Sequence, residues 1–326
     1  MSGALLRGAD AAAAEHSGSD GCGLIDTNVM NEEGRVGTGP TSYVYFSQRL
    51  KLHYVDWGND AAPVMLLIHG GRDHCRSWDW VAERFRDAFH VIAPDLRGHG
   101  DSDWSGGGAY SESHYVQDIA QLVHQKRLAP LTIIGHSLGG SVGLLYAGLF
   151  PETVTKIVAI EGLGRAPHLV REYQGTPVEQ RLRSWIVERR ERAGGVPRRL
   201  ATLDEAIARM RTANARLTEE QARFLTTHGS LQNEDGTYSW KFDRDIRFSG
   251  SAGELGYDDQ YRLWSRITCP VLLVRGTESW ASDPVIDGRA RHFRDARLIN
   301  IEGAGHWVQH DRLGEFVENV LKFLEE

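Results

Sequence analysis

Seven short runs punctuate the chain, and most of them are apolar without alternation: LKLHYVDWG (50–58), VMLLIHG (64–70), HVIAPDL (90–96), LTIIGHS (131–137), TKIVAIEG (155–162), PVLLVRG (270–276) and ARLINIEG (296–303). A strand that is apolar on both faces must be covered on both, so these runs belong inside a sheet with helices on each side. Helix-patterned segments lie between them, at about 77–88, 113–127, 138–150 and 311–325, and supply the crossovers that parallel strands require. The predicted fold class is α/β, with a mostly parallel central sheet flanked by helices. A chain of 326 residues with 41% hydrophobic content is long enough to bury such a core.

One interval breaks the rhythm. From 163 to 266 the chain is charged and helix-patterned (VEQRLRSWIVERRERAGG, ATLDEAIARMRTANA, LTEEQARFLTTHG), with a single strand-like piece, DGTYSWKFD. The sheet pattern resumes at ITCPVLLVRG, so this interval reads as a mainly helical cap inserted into a core of residues 41–162 and 267–326. Residues 1–40 are rich in Ala, Gly and small polar residues, lack the apolar centre of a secretion signal, and read as a flexible tail.

Composition narrows the function classes. A formal charge of −7 leaves no basic surplus for nucleic acid or an anionic bilayer, and no apolar stretch approaches the roughly 20 residues of a membrane helix. Three cysteines without C-x-x-C spacing suggest neither a disulfide framework nor a structural zinc site, which fits a cytoplasmic protein. No phosphate-cradling glycine motif is visible, so no cofactor and no metal is expected. The expected partner is a small molecule.

GHSLGG (135–140) joins an apolar strand to a run of small helix-forming residues. Small residues two positions either side of Ser137 permit a turn too tight for larger side chains, which pushes the hydroxyl outward as a nucleophile. The following helix aims its first amides at the same place, where a developing oxyanion needs donors.

With HGGRDH (69–74), DLRGHGDS (95–102) and GAGHW (303–307) in the same order, the chain from about residue 41 onward resembles the α/β-hydrolase-fold serine hydrolases. The resemblance implies Ser137 as nucleophile and His306, in the glycine-rich loop after the last strand, as general base. It also implies an oxyanion hole made by the amides of Gly71 and Leu138. His310 is expected at a helix entrance in a polar surface role, His136 in a structural one, and DLRGHGDS as a structural turn. Arg72, Asp73 and His74 are read as pocket-mouth or surface-loop residues, and Cys75 as packed at a helix start.

The acid departs from the commonest pattern. Relatives often carry Asp three residues after the glycine that ends the penultimate strand, whereas RGTESWASDP has Ser279 there. Three carboxylates compete: Glu161, at a strand-end position that some lidded relatives such as haloalkane dehalogenases use; Glu278, one residue short of the usual site; and Asp283, further along the loop. Glu161 is the first choice, because a carboxylate ending an apolar strand is costly unless paired. Glu278 is the alternative, and an ion pair with Arg165 is the competing structural role for Glu161.

The aromatics of the cap and its surroundings are expected to shape an apolar pocket, with Trp240 and Trp307 as substrate-binding candidates. The activity these features imply is cleavage of small to medium apolar carboxylic esters through an acyl-enzyme. Alternatives on the same triad are lactone, amide or C–C bond hydrolysis and perhydrolysis. Epoxide and haloalkane chemistry is disfavoured because resembling enzymes place Asp where this chain has Ser137. A non-catalytic receptor for a small ligand is the reading from another class.

Overall fold

The computed structural model describes residues 29–30, 36–37, 39–193, 198–246 and 255–326. Most of the expected tail therefore lies outside the described residues; within it, β1 (Val29–Met30) and β2 (Val36–Gly37) pair antiparallel. From residue 40 onward the chain forms one compact unit. Its strands are β3 (Thr41–Ser47), β4 (Leu50–Asp56), β5 (Val64–Ile68), β6 (His90–Pro94), β7 (Leu131–His136), β8 (Val154–Ile160), β9 (Ser230–Gln232), β10 (Tyr238–Trp240), β11 (Val271–Gly276) and β12 (Ala296–Ile301). Eight of them form one sheet in the order β12-β11-β8-β7-β5-β6-β4-β3, in which only β4 runs against the rest.

The sheet is apolar on both faces because alternate side chains of each central strand enter different cores. Leu66, Ile68 and Ile133 pack with Ile119 and Leu122 of α2 (Glu112–Lys126) and with Leu144 and Leu145 of α3 (Leu138–Leu149), whereas α1 (Asp79–Phe85) covers the other face. There Met65, Leu67 and Ile134 meet Val81 and Phe85 of α1 together with Phe316, Val320 and Phe323, which belong to the chain's last helix.

Between β8 and β11 the described residues add no strand to this sheet. They form α4 (Pro167–Gly175), α5 (Val178–Ala193), α6 (Leu203–Ala213), α7 (Glu219–Gly229), the β9–β10 hairpin and α8 (Tyr257–Trp264). This segment is fastened to the loops that leave the C-terminal ends of β5 and β6. His74 Nε2 is 2.9 Å from the Leu225 carbonyl, Asp243 N donates to Gly98 O at 2.8 Å, and Lys241 Nζ pairs with Asp101 at 2.7 Å. After β12 come the single turn α9 (Val308–Asp311) and α10 (Leu313–Glu325).

The loop after β6 is braced from within. Asp95 accepts from Cys75 N and Asp101 N, and Arg97 makes a two-pronged pair with Asp118 at 2.6 and 2.7 Å, both side chains buried. Cys75 opens a short 3₁₀ turn (Cys75–Trp78) ahead of α1 and is buried. His310 is not at the surface as expected: it is 7% exposed in α9, edge-on to the Trp80 ring and beside Trp307. Gln221 of α7 donates to the His310 carbonyl at 3.3 Å, a tertiary contact that local sequence does not carry.

Candidate active site

Ser137 follows directly on β7, near the middle of the sheet. Its backbone sits at φ 50°, ψ −113°, a region that side chains ordinarily avoid. Two bonds hold it there: Ser137 N still donates to Ile160 O of the neighbouring strand at 2.8 Å, while Ser141 N already donates to Ser137 O at 3.1 Å, opening α3. The bend is so tight that a Cβ on Gly135 would lie 2.4 Å from Gly139 O, and one on Gly139 would lie 2.1 Å from Ile68 O. Only glycine fits at either place.

The next strand ends in the same manner. Glu161 follows β8 with φ 50° and its amide donates to Val274 O at 2.9 Å, so its side chain is also thrown off the sheet edge. Its carboxylate is completely buried and accepts hydrogen bonds from His306 Nδ1 at 2.7 Å, from Gly276 N at 2.9 Å, and from the Ser279 hydroxyl. Because a carboxylate can only accept, the hydrogen of a neutral His306 ring resides on Nδ1, which leaves Nε2 with a free lone pair.

The loop that carries His306 is pinned from several sides. Glu278 N donates to Ala304 O at 2.9 Å, Gly305 N to Asp311 Oδ2 at 2.7 Å, and His136 Nε2 to the His306 carbonyl at 2.9 Å. The His136 ring also packs against the His306 ring, with centroids 4.8 Å apart. Burial, with the adjacent His306 second, holds the His136 pKa well below the ordinary histidine range, so it stays a neutral donor beside its partner.

Of the three competing carboxylates, then, Glu161 meets the imidazole. Glu278 pairs with Arg216 near the surface, and Asp283 caps the amides of Val285 and Ile286. Arg165, the partner considered for Glu161, lies instead over the Tyr173 ring. Ser279 is the residue whose role the sequence did not disclose. Standing three residues after the glycine that ends β11, it donates its hydroxyl to the Glu161 carboxylate at the end of β8. The only signal was its position in RGTESW.

Ser137, His306 and Glu161 line one cavity of about 740 Å³, and so do Gly71 and Leu138. Among the described residues no hydrogen bond joins Ser137 Oγ to the imidazole, whose hydrogen-bond partner is Glu161. Leu138 is the first residue of α3, where backbone amides have no partner inside the helix. Arg72 lines the cavity, whereas Asp73 and His74 are buried in the loop behind it, Asp73 accepting from Ser77 Oγ at 3.0 Å.

Trp307 lines the cavity, and Trp280 lies across the His306 ring at 4.7 Å, 78% exposed. Trp240 does not line it. Its hairpin strand β10 places it against Phe242, ring centroids 6.2 Å apart. Phe248, another expected pocket aromatic, lies outside the described residues. The lining is mixed in character, with arginines from several elements beside the apolar groups.

Known proteins resemble the chain along most of its length. It is 28% identical over 322 residues to esterase Rv0045c of Mycobacterium tuberculosis (strain ATCC 25618 / H37Rv), covering 95% of this chain and 98% of that one. It is 25% identical over 288 residues to epoxide hydrolase 2 of Caenorhabditis elegans, covering 81% and 74%. Among solved structures, E-2-(acetamidomethylene)succinate hydrolase superposes with a TM-score of 0.72 at 22% identity, over 88% of this chain and 100% of the other. The thioesterase domain of a curacin biosynthetic pathway gives 0.76 at 22% identity, over 87% and 100%. A family model for the alpha/beta hydrolase family matches residues 65–319, from β5 through the Ser137 bend into α10, and the chain accordingly belongs to that family.

Proposed function

We propose that the protein is a serine hydrolase that cleaves small to medium carboxylic esters through an acyl-enzyme. The observation that carries this reading is the Glu161–His306 pair at 2.7 Å, its carboxylate buried and its imidazole opening on the same cavity as Ser137. His306 Nε2 takes the Ser137 proton as Oγ attacks the ester carbonyl, and the amides of Gly71 and Leu138 receive the oxyanion, each worth about 10²- to 10³-fold in rate. Glu161 stabilises the imidazolium that forms. The imidazolium then protonates the departing alcohol, and water, activated by the same ring, frees the acid. The segment 163–266 acts as a cap that bounds the substrate cavity.

Epoxide hydrolases are among the relatives, yet a serine oxygen that opened an epoxide would be left as an alkyl ether. Water and an imidazole do not cleave ethers, whereas they do cleave an acyl ester. A serine at this bend therefore favours acyl transfer.

Purified protein offered 4-nitrophenyl acetate and butyrate should hydrolyse them and react with a fluorophosphonate probe. Ser137→Ala should lose labelling and at least about 10³-fold in kcat. A wild type that is inactive and unlabelled would instead favour a ligand-binding role.

A further inference from the structure

The cavity holds positive charge that ester chemistry does not use. Arg165, in the loop after β8, and Arg181, in the first turns of α5, both line it, as does Tyr173 of α4. Their guanidinium carbons lie 5.5 and 4.6 Å from the centroid of the Tyr173 ring, so two like charges converge on one side chain. Among the described residues neither has a carboxylate partner, and Arg181 Nε is buried with no acceptor. Two other charged groups of the lining are answered within the protein. Arg289 is paired with Asp287 at 2.8 Å and donates to the Leu163 and Gly164 carbonyls; Glu161 is taken up by His306.

A buried cationic N–H without an acceptor is unfavourable beside a second unpaired cation. The tyrosine face holds both guanidiniums in place without neutralising them, which leaves their forks open to a planar or tetrahedral oxyanion. We propose that Arg165 and Arg181 bind a carboxylate or phosphate group carried on the same molecule as the scissile ester, so that the preferred substrate is an anionic ester. This specificity rests on the serine-hydrolase reading.

The test compares three 4-nitrophenyl esters of matched length: the mono-ester of adipic acid with its free carboxylate, the corresponding methyl adipate, which is neutral, and a 5-phosphonopentanoate. The wild type should show a kcat/KM about ten- to a hundredfold higher for an anionic ester than for the neutral one. Arg165→Gln and Arg181→Gln should each lower that ratio several-fold, with Arg181→Lys in between, because it keeps the charge and loses the fork. Reading the ratio within each variant cancels any loss of folded enzyme. The better of the two anionic esters identifies the oxyanion. A ratio near one in the wild type, or a ratio that neither glutamine variant lowers, overturns the proposal. Turnover of methyl 4-nitrophenyl adipate, and its loss in Ser137→Ala, tests the ester reading separately.

Discussion

Glu161 receives hydrogen bonds from His306 Nδ1, Gly276 N and Ser279 Oγ while wholly shielded from solvent. Two of these donors belong to β11 and the loop behind it, so the carboxylate is oriented before the imidazole engages it. Glu161→Gln keeps the shape but removes the charge that steadies an imidazolium, and kcat should fall on the order of 10²- to 10⁴-fold. Glu278→Gln alters only an ion pair with Arg216 near the surface and should change kcat less than about threefold. Steady-state kinetics on one ester compares the two; equal losses would remove Glu161 from its assigned place. At this scale the sequence singled out Ser137 and His306 because each is embedded in a local motif. It left three carboxylates open because the deciding contact spans β8 and the loop after β12, and no local pattern encodes such a meeting. Trp240 went astray for the same reason: its place depends on how the β9–β10 hairpin docks.

The junction of β7 and α3 shows how elements, more than side chains, build the site. Gly139 lets the helix start against the end of β5, and a methyl group there would meet Ile68 O at 2.1 Å. Gly139→Ala should destabilise the fold by about 1–3 kcal/mol or more, seen as a lowered urea midpoint, whereas Gly106→Ala, with open space around it, should leave the midpoint nearly unchanged. Matching midpoints for the two variants would show that the junction yields more easily than its spacing implies. The buried parallel strands and α1, α2, α3 and α10 were legible because their apolar runs and helical periodicity are strong. Strand β3 was not. It lies at the sheet edge, with Tyr43, Val44 and Phe46 exposed, and reaches β4 through Gln48 and Arg49, both at positive φ without the usual Gly or Asn.

Across the whole molecule, the interval 163–266 was legible as helical and charged, but its seat over the loops after β5 and β6 follows from contacts far apart in the chain. Those contacts also bury histidines. Burial, with His69 second, pulls the His99 pKa down to about 3, and burial pulls His310 down to about 4. Both are neutral in the folded protein at neutral pH, and each has a buried Nε2 without a partner to receive a new proton's charge. The unfolded chain takes up those protons near pH 6.5, so their share of stability is intact above that value and is lost as pH falls toward 4, at about 1.4 kcal/mol per pH unit for each group. The urea midpoint should therefore drop between pH 7 and pH 5, and His310→Gln should flatten the drop. An unchanged midpoint over that interval would show that neither ring resists protonation. Finally, Ser137 and Glu161 sit at the ends of adjacent strands, both bent into left-handed backbone that glycine would occupy more comfortably. On the serine-hydrolase reading, durability and turnover therefore make opposite demands on these two positions, since a glycine that relaxed either backbone would also remove the side chain the reaction needs.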